Sequence, residues 1–230
     1  MSELDIIREI AQQVLVVPTL KGTKDNSLWD RTQRLVRNVE HICRLPEVAK
    51  LEPQIDRFCL IAAAYFSDAG FAHYVDAEDT GRRFALADVS ADDLSDFSTQ
   101  VVNDKLSGSL AGPKIDKINK IITESADRFA KLPEAIILSD ARNLDDMGAV
   151  GIFNEFRRYV VHGKGASEAL ESWKRKIDYR YWDARLKESF RFESVRKLAA
   201  QRFAAAEYFM NQLAVENAAR DLEEMVIESL

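Results

Sequence analysis

Ile55 to Phe66 is nearly all apolar, and Ile61, Ala62, Ala63 and Ala64 follow one another without a break. The run lacks the alternation of a half-buried strand and the polar back of a surface helix. A helix that is apolar on every face has to be wrapped by other elements. The segment therefore predicts a central core helix with the rest of the chain packed around it. Gly70 is placed to close that helix in a left-handed conformation.

The flanking segments supply the wrapping helices. With 9 Gly and 5 Pro in 230 residues the chain is sparsely punctuated, which favours helices over turn-rich sheets. Ser2 to Val16 predicts a helix with Leu4, Ile7, Ile10, Ala11 and Leu15 on one stripe, ended by Pro18, and Lys21 to Asp25 predicts a polar loop. A second helix carries Leu28, Leu35, Val39 and Ile42 and ends by Pro46. Ser90 is placed to cap a helix over Asp92 to Leu106, and Ser107 to Pro113 is a turn cluster. Ile115 to Leu132 and about Met147 to Val161 are helical in pattern. After the His162-Gly163-Lys164-Gly165 break, helices are predicted over Ser167 to Lys187 and Phe192 to Ser229. The last shows a stripe of Val195, Leu198, Ala199, Arg202, Ala206, Phe209 and Leu213. Phe71 to Ser90 has no period and reads as a loop or short lid. No repeat or linker interrupts the chain, so one all-α helical bundle is predicted over residues 1–230. Residues 1–25 form its N-terminal helix and loop, and 217–230 an acidic helix end that reads as a solvated end or, in the functional variant, a partner surface.

The net charge of −6 and pI near 5.3 argue against a nucleic-acid surface or an anionic membrane surface. Arg34, Arg37 and Arg44 could make a local basic patch, beside Asp30 and Glu40 on the same helix. Cys43 and Cys59 both sit in apolar stretches and predict buried thiols. The mixed-charge N-terminus is no signal peptide, and no apolar run reaches the ~20 residues of a membrane span. A cytoplasmic location follows as the expectation.

Four blocks carry a family resemblance. The first is Leu28-Trp29-Asp30-Arg31-Thr32-Gln33-Arg34-Leu35-Val36-Arg37-Asn38, and the second is Ala62-Ala63-Ala64-Tyr65-Phe66-Ser67-Asp68-Ala69-Gly70. The third is Ile121-Ile122-Thr123-Glu124-Ser125. The fourth, and most specific, is Ile136-Ile137-Leu138-Ser139-Asp140-Ala141-Arg142-Asn143-Leu144-Asp145-Asp146-Met147-Gly148-Ala149-Val150-Gly151-Ile152. Together they resemble the HD-domain metal-dependent phosphohydrolases, over roughly Asn26 to Glu216. The resemblance implies a helical HD-like bundle in which His and Asp side chains converge on a metal that activates water for phosphoester hydrolysis.

The same resemblance places Arg31, Ser67 and Ser125 where the family carries its histidines, and leaves Asp68 and Asp140 as retained acids. Arg31 is a permanent cation and the two serines are neutral hydroxyls, so the imidazole ligand field is gone. The leading expectation is a pseudoenzyme: an HD-like protein with no metal cofactor and no hydrolase activity, acting as a ligand-binding or protein-interaction module. Arg31 is then expected to pair with Asp68 or Asp140, and Arg31 and Arg34 to face a small phosphate-bearing ligand. The alternative is a rebuilt site in which Asp68, Asp140 and His73 hold manganese, nickel, iron or zinc and the substrate is a nucleotide-like phosphoester. A third reading is a structural subunit that joins a protein partner or a homo-oligomer through its C-terminal helix.

Plainer roles exist for the same residues. Asp68 also reads as a helix-end hydrogen-bonding residue, and Asp140 as an N-cap beside Ser139. His41 reads as a surface or half-buried residue, and His162 as a helix-end charge that favours the C-terminal dipole. Trp173, Tyr179, Tyr181 and Trp182 read as core packing, with a base-stacking surface as the functional variant. Gly163-Lys164-Gly165 lacks the longer frame of a phosphate loop, and Ser67 has no neighbouring His for hydrolase chemistry.

Overall fold

The computed structural model describes residues 2–18, 23–51, 54–72 and 90–223. The described residues are all-α apart from one two-stranded hairpin. Among them, no helix is long and apolar enough to cross a membrane. Contacts cluster into two compact units, Met1–Asp145 and Asp146–Leu230.

In the first unit, α1 (Glu3–Leu15) starts at a capping box in which Ser2 and Asp5 satisfy each other's backbone amides. It buries Ile7, Ala11 and Leu15. The strands β1 (Val17–Pro18) and β2 (Lys24–Asp25) pair antiparallel, with Val17 opposite Asp25. They lead into α2 (Ser27–Ile42), which buries Leu28, Leu35, Val39 and Ile42. The apolar run becomes α3 (Arg57–Phe66), capped by Asp56 on the Cys59 amide. It touches α1, α2, α4 (Ala91–Leu106), α5 (Gly112–Glu124) and α6 (Pro133–Asp145). That is the central position its all-round apolar surface demands. Cys43 and Cys59 are buried free thiols, and burial pushes the Cys59 thiol up to about 12.

Gly70 does not take the left-handed conformation expected of it; among the described residues the positive-φ glycines are Gly148 and Gly163. What Gly70 provides is space, because a Cβ there would lie 2.6 Å from the Leu94 carbonyl oxygen. The Gly70 amide donates to Ser98 Oγ at 2.9 Å, and Ser98 Oγ donates to the Ser67 carbonyl at 3.1 Å. One hydroxyl thus fixes α4 to the turn that carries Asp68. At its N-terminus α4 is capped by Ser90, as the sequence predicts.

The helix expected over Ile115 to Leu132 stops at Glu124. Ser125 Oγ donates back to the Ile122 carbonyl at 2.7 Å, and Asp127 accepts from the Phe129 amide at 2.8 Å, which turns the chain. Pro133 disfavours helix at the residue before it and opens α6. Asp140 therefore lies inside α6 and does not cap a helix beginning after it. Glu134 is buried and accepts from the Asp56 amide at 2.9 Å and from Lys117 Nζ at 3.0 Å. Burial would depress the Lys117 ammonium, but Glu134 and Asp56 outweigh it and hold its pKa above the ordinary value.

In the second unit, α7 (Gly148–Val161) and α10 (Glu193–Asn217) pack together. A Cβ on Gly148 would lie 2.9 Å from Arg202 Cβ, and Phe156 meets Phe209 edge-on at 6.1 Å. Both contacts advance in the same sense, so the two helices run parallel. Between them in sequence lie α8 (Ala166–Asp178) and α9 (Tyr181–Glu188). The single helix expected over Ser167 to Lys187 breaks at Arg180, which is left-handed with φ 53°. Trp173 and Trp182 would sit about two and a half turns apart, on opposite faces, were the helix continuous. The break lets both reach the Phe203 ring, at 6.0 and 5.6 Å. The long C-terminal helix likewise ends at Asn217, before Ala219 at φ 53°. The expected helix end beyond residue 223 lies outside the described residues.

Candidate functional site

α2 presents Arg31 and Arg34 on neighbouring turns, the turn after α3 presents Ser67 and Asp68, and α6 presents Asp140, Arg142 and Asp145. These elements pack directly on one another in the first unit. Asp68 is fully buried. Its Oδ2 accepts from Arg31 Nε at 2.8 Å, and its Oδ1 lies 3.5 Å from an Arg142 guanidinium nitrogen. The Arg31 side chain is 15% exposed, so the pair is nearly closed to water. Burial alone would push the Asp68 carboxyl up. The Arg31 and Arg142 guanidiniums, with Arg34 behind them, reverse that and hold it below the usual carboxylate range. Arg34 binds Asp145 with two parallel bonds, Nε to Oδ1 at 3.0 Å and Nη2 to Oδ2 at 3.2 Å. Asp145 is also buried.

The structure brings Arg31, Arg34, Ser67 and Asp68 together as the sequence expects of one site, with Arg31 turned inward onto Asp68. Asp140 is fully buried in α6. Arg142 and Asp145 belong to the same block as Asp140, yet the sequence reading gives them no role. Their signal lies in helical spacing, since residues three apart share a face of α6. Ser125 is buried and, like Ser67, keeps its hydroxyl local: Ser67 Oγ donates to the Ala64 carbonyl at 3.3 Å and Ser125 Oγ to the Ile122 carbonyl at 2.7 Å. His73 lies outside the described residues. His41 is exposed near the end of α2, and His162 is exposed at the C-cap of α7.

A divalent cation does not fit this set of groups. Asp68 Oδ2 is taken by Arg31, while Oδ1 accepts no hydrogen bond and lies 3.5 Å from Arg142, so an approaching cation would meet two fixed positive charges. The hydroxyls at 67 and 125 are turned to backbone carbonyls. Among the described residues, no three His, Cys, Asp or Glu side chains are grouped to hold a metal ion. The arrangement instead makes a chain of alternating charge that clamps three elements of the first unit.

The aromatic cluster divides. Trp173 and Trp182 are buried in the second unit, 5.3 Å apart, and both pack on the half-buried Phe203 ring. Tyr181 meets Trp182 edge-on at 5.0 Å, while Tyr179 points to solvent.

No family model matches the chain, and no curated protein matches it. Solved structures do. The chain is similar to YpgQ of Bacillus subtilis in complex with ADP, with 21% identity and a TM-score of 0.59 over 92% of this chain and 96% of that one. It is also similar to the Lin1889 protein of Listeria innocua, with 19% identity and a TM-score of 0.57 over 95% and 98% of the two chains. At these identities the likeness establishes a shared helical fold.

Proposed function

We propose that this chain is an HD-like protein that has exchanged a metal centre for an ion-pair centre, and that it works as a ligand-binding or protein-interaction module without metal-dependent phosphohydrolase activity. The observation that carries this reading is the Arg31 guanidinium on the buried Asp68 carboxylate. Binding a metal there would require expelling Arg31 from a low-dielectric contact and leaving its charge to find another partner. The chemistry that a metal supplies, a nucleophilic hydroxide at neutral pH and relief of phosphate charge, has no evident donor set among the described residues. The ligand class this reading favours is a phosphate-bearing nucleotide. The half-buried Arg31, Arg34 and Arg142 offer guanidinium nitrogens, and a Bacillus subtilis protein of the same fold was solved with ADP.

The test has two arms. Protein purified without added metal is soaked in manganese, nickel, iron or zinc, washed, and analysed for bound metal and for hydrolysis of nucleoside phosphates. The expected result is neither stoichiometric metal nor turnover. Tightly held metal that Asp68→Ala abolishes would overturn the proposal and favour the rebuilt site of Asp68, Asp140 and His73. In the second arm, ADP raises the melting temperature of the wild-type chain, as a ligand bound only by the folded state must. Arg34→Ala removes most of that rise.

A further inference from the structure

Arg31, Arg34 and Arg142 differ in how far their donors are committed. Arg31 gives Nε to Asp68 Oδ2 at 2.8 Å. Arg34 gives Nε and Nη2 to the two oxygens of Asp145. Arg142 donates no hydrogen bond among the described residues, and its one contact is the 3.5 Å approach to Asp68 Oδ1. A guanidinium carries a rigid fork of N–H donors, and a largely buried charge is ordinarily paired and hydrogen-bonded. The Arg142 side chain is 23% exposed, and none of its nitrogens is closed off from solvent.

The acids that helical spacing brings nearest to Arg142 are engaged elsewhere. Asp145, three residues on, belongs to Arg34, and Asp146, four on, accepts from Arg185 Nη2 at 3.0 Å. Asp140 lies two residues back, and positions two apart on a helix do not face each other. Arg142 is thus a fork with one edge resting against a buried carboxylate and the rest of its donors open to the medium.

We infer that Arg142 grips the phosphate end of the nucleotide, an assignment that rests on the nucleotide reading, with Asp68 orienting its guanidinium and Arg31 and Arg34 holding the fold of the centre. A terminal phosphate offers paired oxygens that match two N–H groups of one fork. Directed bonds matter here more than field strength, because Arg31, Arg34 and Arg142 are matched in number by the buried Asp68, Asp140 and Asp145. Arg34 then acts at one remove. Its loss leaves Asp145 buried without its partner, one helical turn from Arg142, as a rival for the same guanidinium.

Isothermal titration of the full chain with ADP, adenosine and inorganic pyrophosphate tests this. Wild type is expected to bind ADP at least about tenfold more tightly than adenosine, with pyrophosphate displacing ADP. Arg142→Lys keeps a charge beside Asp68 and loses the fork. It is expected to show the wild-type circular dichroism spectrum, to weaken ADP binding by about tenfold or more, and to close the gap between ADP and adenosine. Arg34→Ala is expected to weaken ADP binding as well, and Arg34→Ala with Asp145→Asn to return it to within about threefold of wild type, since the rival acid is gone. An Arg142→Lys chain that binds ADP within about twofold of wild type overturns the inference and leaves the nucleotide reading standing. So does a folded double variant that binds as weakly as Arg34→Ala. A wild type that binds pyrophosphate but not ADP ends the nucleotide reading, and Arg142→Lys read with pyrophosphate then decides the role of Arg142. A wild type that binds neither ends both.

Discussion

Replacing Arg31 by Met tests the central ion pair directly. Methionine keeps most of the apolar stem and removes the guanidinium from Asp68 Oδ2, leaving Arg142 at 3.5 Å as the remaining close cation. Breaking a fully buried pair costs about 3–5 kcal/mol. Arg142 still shields Asp68 and Arg31 is itself partly exposed, so a loss of about 2–3 kcal/mol is expected at pH 7. For a chain of this length that corresponds to a fall of roughly 5–10 °C in melting temperature. The pH dependence separates electrostatics from lost packing. A carboxylate whose pKa is lower folded than unfolded adds stability above its unfolded value and loses it as pH falls through the folded one. Wild-type Asp68 is in this class. In the variant, burial prevails over the remaining cations, the Asp68 pKa rises, and an ionised Asp68 opposes folding until acid protonates it. The difference in unfolding free energy between wild type and Arg31→Met is therefore largest at neutral pH and shrinks at pH 4. Urea titrations followed by circular dichroism at both pH values measure it. A difference that is the same at both, or below about 0.5 kcal/mol at pH 7, would refute the claim that Asp68 is held ionised by Arg31.

Gly70→Ala is expected to cost about 2–3 kcal/mol in the same titration, because the new methyl meets the Leu94 carbonyl, which is backbone and cannot swing aside. Ser98→Ala leaves the Gly70 amide and Ser67 carbonyl without their shared partner, and should lower stability by about 1–3 kcal/mol. Glu134→Gln should cost about 1–2 kcal/mol at pH 7. Lys117 has a raised pKa, so its contribution is full below its unfolded value and lost as pH rises through the folded one. The Glu134→Gln penalty should accordingly narrow in alkali. Arg180→Gly should stabilise by about 0.5–1 kcal/mol by relieving a left-handed residue that carries a Cβ.

Much of the first unit was legible because its signals are local. Ser2 and Ser90 announce helix starts, and a run like Ile55 to Phe66 has only the centre of a helical core to occupy. Arg31 was expected at the site from the HD-domain resemblance alone; its inward turn onto Asp68 is seen only in the structure, because it depends on a carboxylate carried by another element. The Arg34–Asp145 pair joins residues 111 apart in sequence, and no spacing along one helix reveals it. Arg142 was missed for the same reason: its partner sits on another element. The helix break at Arg180 was hidden because arginine has no preference for the left-handed region. It is set by where Trp173 and Trp182 must both pack, which is tertiary information.

A guanidinium on a peptide chain differs from a bound ion in one respect that matters in the cell. It cannot be stripped by a chelator, lost in a metal-poor environment or exchanged for a tighter-binding neighbour in the transition series. The pair of Arg31 and Asp68 is made from the chain's own side chains and is assembled by folding.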